Sequence, residues 1–271
     1  MLIAQAEDLI QRCGRQDIPV CSEFLDARQQ SILRRQFGTK QGDVTIVYSG
    51  GHREADRVVM MCLPYYMTGQ DHIDEGEKRI AQSDLAQDAE FSDMFMTAIR
   101  ATVPKNSQAS KNGRSLSHGD YLGALMGLGI RRSVIGDILV GENGADIIVL
   151  REMAEYLLQN LTGAGRARIS TEEIALSELK IPEKEYKEFE DTVASLRLDA
   201  VLASAFRISR GKAAEAIKQG LVFVNHLEAA RPDMNVDEGA ILVIRHLGRA
   251  ELKEIGKRTR KDRIRITISK S

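Results

Sequence analysis

The sequence predicts an α+β chain built in parts, and three observations carry that expectation. Between about Asp93 and Leu176 the elements read in the order β-α-β-β-α-β. From Arg197 to Asn225 two short amphipathic helices run directly into a strand. The charge is also divided: residues 196–271 hold 16 Lys and Arg against 9 Asp and Glu, residues 1–195 hold 22 against 30, and the whole chain has a formal net charge of only −1. The expected division is a helical and stranded N-terminal segment (1–75), a central split βαβ plait (76–178), a linker or a strand leading into the next module (179–195) and a basic C-terminal module (196–271). A basic module on an acidic body suggests that polyanion binding is confined to the C-terminal part.

A chain of 271 residues with 43% apolar residues can bury a substantial core, and its length suits two or three modest domains. Cys13, Cys21 and Cys62 are odd in number and lack the paired spacing of a zinc site, which points away from a disulfide framework or structural metal and toward a reduced compartment. The opening MLIAQAEDLI has no basic leader, and no later stretch approaches the roughly 18 apolar residues of a membrane helix. The expectation is a cytoplasmic chain without membrane insertion.

In the N-terminal segment AEDLIQRC and SEFLDARQQSILRRQF read as helices, and DVTIVYSGG and RVVMMCLPY as strands, with β-branched VTIVY the clearest. The charged run DEGEKRIAQSDLAQDAEF continues as helix, and the polar PKNSQASKNGRS reads as a loop. YSGGH invites comparison with a phosphate loop, because a glycine turn after a strand can expose backbone N–H groups. His52 and Arg53 stand where acidic and hydroxyl side chains would follow, so the segment reads as a simple turn.

The central elements are strand MFMTAIRATV, helix GDYLGALMGL, strand SVIGDILVG, a tight turn at Glu142, Asn143 and Gly144, strand ADIIVL, helix REMAEYLLQNL and strand RARISTEEI. Asn-Gly is a two-residue hairpin signal because both turn positions need positive φ. The order is that of an RRM-like plait, whose helices cover one sheet face and leave the other open for docking. No RNP-type aromatic strand is present, so the domain reads as a scaffold ahead of an RNA-binding surface. Asp120 reads as a helix cap, and TGAGR as the loop that ends a helix. His118, Asp120 and Asp137 have no nucleophile beside them, and the remaining histidines are too scattered to ligate a metal; no catalytic or metal set is predicted.

In the basic module Leu198, Val201, Leu202, Ala205 and Phe206 recur at helical spacing, which buries one stripe and leaves Arg197 and Arg207 to face outward. Ser209 sits where an N-cap belongs, Ala213, Ala214 and Ile217 form the second stripe, and Gly220 is placed to end the helix in a left-handed conformation. Arg210 and Lys212 then fall in the first turn. Cations there oppose the helix dipole, so their placement points to an external phosphate. Lys218, Arg245 and Arg249 are further candidate contacts. In RIRITIS a period of two sets Arg263, Arg265 and Thr267 on one face and Ile264, Ile266 and Ile268 on the other. Such guanidinium groups stand about 7 Å apart, comparable with successive phosphates, while a charged edge strand that resists aggregation explains the same pattern.

Arg197, Leu198, Asp199, Ser209, Arg210, Ile217, Gly220, Val222, Val224 and Asn225, followed by Pro232 and GAILVIR, resemble the S4 (αL-type) RNA-binding domain. Many such domains place Gly after the Val-Asn pair; here it is His226, which predicts a hairpin turn of another shape. SHGDYLGALMGLGIRRSVIGDILV, RHLGRAELKEIGKRTRKDRIRI and SGGHREADR extend the resemblance over nearly the whole chain, to the YlmH family of bacterial S4 proteins. Where family members carry His-Arg-Asp or His-Arg-Glu, this chain has His118, Gly119 and Asp120, so the family's arginine has no counterpart.

The resemblance implies a non-enzymatic protein without a cofactor that binds the ribosome, with large-subunit ribosomal RNA and tRNA as partners, in quality control of stalled nascent chains or linked to cell division. Arg197, Arg207, Ser209, Arg210, Lys212, Lys218, Arg245, Arg249, Arg263 and Arg265 are the residues expected to hold RNA. Composition and spacing by themselves indicate only a cytosolic RNA binder. Two alternatives stay open: an RNA-modifying enzyme with an appended S4 domain, for which no pseudouridine synthase, methyl-donor or tRNA ligase motif is found, and a protein adaptor acting through the acidic body.

Overall fold

The computed structural model describes residues 1–68, 89–104, 116–182, 187–245 and 247–270. The chain divides into two compact units, Met1–Gln29 with Leu33–Pro182, and Glu183–Ser271 with Gln30–Ile32. The boundary expected at residue 75 lies outside the described residues, as do most of the charged run around it and nearly all of the polar loop after Pro104. Among the described residues no helix is long and apolar enough to cross a membrane.

The first unit opens with α1 (Leu2–Gln16), β1 (Val20–Cys21), α2 (Ala27–Phe37), β2 (Lys40–Gln41), β3 (Val44–Ser49) and β4 (Val59–Leu63), the strands pairing in the order β1-β4-β3-β2. The second helix starts later than the run SEFLDARQQ suggests. Asp26 accepts the N–H groups of Arg28 and Gln29 at 2.8 and 2.9 Å, while Gln29 Oε1 accepts the Asp26 N–H at 2.9 Å. This reciprocal cap fixes the start, and Leu25 before it bridges Val58 in extended form.

The plait follows: α3 (Ala89–Phe95), β5 (Met96–Thr102), α4 (His118–Gly127), β6 (Ile135–Gly141), β7 (Gly144–Leu150), α5 (Ala154–Asn160), the short hairpin β8 (Gly163–Ala164) and β9 (Ala167–Arg168), and β10 (Ser170–Ile174). The sheet order β10-β5-β7-β6 is antiparallel throughout, as a split βαβ plait requires. Met94 and Phe95 close α3 instead of opening β5, and TGAGR folds into the β8–β9 hairpin.

The sheet face opposite the helices is covered, contrary to expectation. A Cβ on Gly136 would lie 2.7 Å from the Phe24 ring, and one on Gly51 would lie 3.1 Å from Leu176 and 3.6 Å from Ile148. Further along the same face, Arg100 grips Asp146 bidentately at 2.8 and 2.9 Å and donates to Glu178 O, and the Lys180 N–H donates to Asp146. Residues of β3 and β4 and of the plait form one core, so this sheet face presents no stacking surface.

The Asn-Gly turn also differs. Gly141 pairs with Gly144, so Glu142 and Asn143 make the turn and Gly144 is the first strand residue. Its missing side chain serves close strand packing, since a Cβ there would lie 2.0 Å from Ala101 O.

The second unit holds β11 (Lys187–Val193), α6 (Leu198–Phe206), α7 (Arg210–Lys218), β12 (Val222–Val224), β13 (Leu227–Glu228), β14 (Ile241–Ile244), β15 (Gly248–Arg258) and β16 (Ile264–Lys270). Its antiparallel sheet runs β11-β16-β15-β14-β12-β13, so part of the expected linker is a strand of this unit. Leu198, Val201, Leu202, Ala205, Phe206, Ala213 and Ile217 are buried as their spacing predicts, against Leu242, Leu252, Ile264, Ile266 and Ile268 of the sheet. Gly220 is left-handed at φ 69°. Asn225 and His226 have φ 48° and 66°, the double positive φ of a type I′ hairpin, so His226 takes the conformation glycine would have taken and the turn keeps its shape.

Two glycine substitutions separate packing from conformational freedom in the first unit. Gly144→Ala should lower the unfolding free energy by about 2 kcal/mol or more, because backbone must move. Gly123→Ala, on a helix position with open space around the added methyl, should raise it by up to about 1 kcal/mol. Denaturant unfolding of the two variants checks this, and equal effects would contradict the packing assigned to Gly144.

Candidate nucleic-acid interface

The start of α6 is built by backbone from a distant segment. The Leu198 N–H donates to Met234 O at 2.8 Å and the Asp199 N–H to Pro232 O at 3.0 Å, which satisfies two N–H groups that a helix start leaves without partners. Arg197 can therefore occupy the N-cap position without a capping side chain. Two residues on, the Asp199 carboxylate accepts Arg197 Nε on Oδ1 at 3.2 Å and Arg197 Nη2 on Oδ2 at 3.3 Å. Oδ2 also accepts Arg210 Nη2 at 2.8 Å. The carboxylate side chain is 9% exposed, and the Arg197 and Arg210 side chains above it are 42% and 53% exposed. Burial acts to raise the Asp199 pKa, but hydrogen bonds and charge from Arg197 and Arg210 outweigh it and hold the carboxyl below its ordinary value. The hydrogen bond to Asp199 in turn raises the Arg197 pKa. Arg197 is thus not simply turned outward, as the helical stripe suggested; one carboxylate ties it to Arg210.

Ser209 caps α7 as expected, its Oγ accepting the Lys212 N–H at 3.2 Å. Lys212 and Lys218 are exposed at the two ends of this helix, about 9 Å apart along its axis. Arg207 closes α6 in left-handed conformation, φ 52°, with its guanidinium 5.4 Å from the centre of the Phe189 ring. Arg245 lies 5.6 Å from the Phe223 ring, and Arg249 is half-buried on β15. Arg263 donates from Nε to Thr192 Oγ1 at 2.9 Å and from Nη2 to Thr192 O. Arg265 is exposed, while Ile264, Ile266 and Ile268 are buried. The edge-strand explanation for RIRITIS fails, because β16 is paired on both sides, by β11 and β15.

The fold therefore brings Arg197 and Arg210 together on Asp199, while Arg207, Ser209 and Lys212 lie along the chain that leads from the end of α6 into α7. Arg263 and Arg265 stand at the start of β16, which pairs with β11 and β15, and Arg263 is tied to Thr192 of β11. The sequence reading missed the part of Asp199. An acid in the first turn of a helix is ordinarily explained by the dipole, and its second partner lies eleven residues on, brought back only by the turn between the helices.

In the first unit the residues weighed for chemistry are tied into the fold by hydrogen bonds. His52 Nε2 lies 3.1 Å from Asp137 Oδ2, and the Asp56 and Arg57 N–H groups donate to the same carboxylate at 2.8 and 3.2 Å. A Cβ on Gly50 would lie 2.4 Å from Arg57 O, so YSGGH is a turn closed on its own backbone. Ser117 and not Asp120 is the N-cap of α4; Asp120, inside the first turn, accepts the Ser117 N–H at 2.8 Å and its Oγ–H at 2.7 Å. Burial pushes the Cys21 and Cys62 thiols up to about 12. Among the described residues no group of three or more His, Cys, Asp or Glu side chains is placed to hold a metal.

Two family models match the chain: the RNA-binding domain assigned to YlmH over residues 108–178, and the S4 domain over residues 196–242. A curated relative, ribosome-associated protein quality control protein P2 of Bacillus subtilis (strain 168), is 36% identical over 249 residues, which cover 92% of this chain and 86% of the relative. Among solved structures, cell division protein ylmH from Streptococcus pneumoniae is 20% identical with a TM-score of 0.41, over 66% of this chain and 92% of that one.

The depressed pKa of Asp199 makes the second unit acid-sensitive in a defined direction. Its stabilisation is complete above the ordinary aspartate value of about 3.9 and is lost as pH falls through the lower folded-state value. Denaturant unfolding between about pH 2 and 7 should show that loss in the wild type and not in Asp199→Asn. At neutral pH the variant should be weaker by about 1–2 kcal/mol, less than for a fully buried pair because both guanidinium groups keep contact with water. Identical acid profiles would contradict the assignment.

Proposed function

The chain belongs to the YlmH family of S4-domain proteins, and on that footing we propose that it is an RNA-binding protein of the ribosome that acts by gripping structured RNA with its C-terminal unit. The observation that carries this reading is the junction of α6 and α7. Arg197 and Arg210 share one buried carboxylate there, and Arg207 and Lys212 flank them on a module with 16 Lys and Arg against 9 Asp and Glu. Excess positive charge fixed at helix starts suits phosphate oxygens. Contacts of that kind position RNA without reading its sequence, so the module selects shape.

The Bacillus subtilis relative is named for ribosome-associated protein quality control, which supports the ribosome as the place of action. In this proposal the RNA partners are large-subunit ribosomal RNA and tRNA, the setting is the cytoplasm, and the service is to translation quality control.

Because Arg210 satisfies Asp199, reversing its charge would also leave a buried carboxylate facing a like charge, so the cleaner test uses the two exposed lysines of α7. Lys212→Glu with Lys218→Glu should weaken binding to a structured ribosomal RNA fragment at least tenfold while far-ultraviolet circular dichroism stays unchanged. For about five phosphate contacts, log affinity against log salt should fall with a slope of roughly −3.5 to −4.5 in the wild type, and less steeply in the variant. Undiminished binding, or a flat salt dependence, would overturn the reading.

A further inference from the structure

We propose that Asp199 is a positioning residue for RNA: a buried carboxylate that holds Arg197 and Arg210 in one fixed arrangement, ready for a backbone phosphate. The inference rests on the RNA-binding reading above and deepens it.

The geometry is layered. The carboxylate lies beneath, 9% exposed, and both guanidinium groups lie over it toward solvent, 42% and 53% exposed. Asp199 engages Arg197 Nε and Nη2 and Arg210 Nη2, and among the described residues no hydrogen bond takes Arg197 Nη1 or Arg210 Nε and Nη1. Each planar fork therefore has one side fixed by the carboxylate and another side with donors for a ligand. The charge also fits. Two guanidinium groups on one carboxylate leave a single unit of positive charge, which a single phosphodiester complements.

Positioning and simple electrostatics predict opposite signs for the removal of this carboxylate. If Asp199 acted only as a negative charge near the site, replacing it with Asn would strengthen RNA binding, by no more than about threefold across several ångströms of screened solvent. If it orders the two arginines, the same change releases two long side chains whose ordering must then accompany binding, a loss of roughly tenfold or more in affinity. Asn keeps the volume and one acceptor oxygen, so it alters the shape of the site little.

A thermodynamic cycle on the full chain decides the matter. Affinity for a labelled ribosomal RNA hairpin is measured at one salt concentration for the wild type, Asp199→Asn, Arg197→Ala with Arg210→Ala, and the triple variant, each confirmed folded by circular dichroism. We expect Asp199→Asn to weaken binding about tenfold in the wild type, and to change it less than about threefold when the two arginines are already absent. Unchanged or tighter binding by Asp199→Asn, or an equal loss in both backgrounds, would overturn the positioning role and leave a structural ion triad. Wild-type affinity in the double-arginine variant would instead overturn the RNA-binding reading at this junction. Should Asp199→Asn fail to fold, Asp199→Glu, which keeps the charge and displaces it by one methylene, is read in the same cycle; full wild-type affinity there would also count against fixed positioning.

Discussion

A carboxylate taken out of water must be matched by positive charge, and in the C-terminal unit that demand falls on Asp199. Meeting it ties the start of α6 to the start of α7, because Arg197 caps one helix and Arg210 opens the other. The same helix start takes its backbone partners from Met234 and Pro232, so a segment more than thirty residues on is drawn into the junction. Sequence neighbours, a distant loop and a helix pair thus meet around one buried anion. Two of the module's exposed cations, Arg197 and Arg210, are held by this buried contact, while Arg207, Arg245 and Arg263 rest on Phe189, Phe223 and Thr192.

The first unit shows the opposite disposition. Two of its carboxylates are turned inward: Asp137 collects His52 and two backbone N–H groups, and Asp146 collects Arg100 and Lys180 N–H. The plait has the topology of RNA-recognition modules, but its free sheet face is filled by Phe24, by the turn at Gly51 and by the chain from Leu176 to Lys180. Topology alone would assign it a stacking surface. Side-chain burial shows that the surface has been used to join the N-terminal strands to the plait in one core.

Much of this was legible in the sequence where a residue acts through its neighbours along the chain. The apolar stripes of α6 and α7, the Ser209 cap, the left-handed Gly220 and the alternation in β16 all follow from spacing and from the needs of backbone geometry. What spacing could not show depends on contacts between distant segments. The Asn143-Gly144 pair looks like a turn, yet Gly144 is required by Ala101 O of another strand. His226 looks like a changed turn, yet the strand pairing imposes the same left-handed backbone on it. RIRITIS looks like an edge, and only the return of Lys187–Val193 makes it interior. Asp199 belongs to this class too, since half of its pairing comes from the next helix.

The central claim is that RNA meets this protein at the α6–α7 junction of its C-terminal unit. The most direct test is ultraviolet crosslinking of the full chain in cells, followed by mass spectrometry of the peptides that carry RNA. Crosslinked peptides should concentrate between Arg197 and Lys218, with a second group in the β14–β16 region. Crosslinks confined to residues 1–182 would contradict it and move the site to the acidic body.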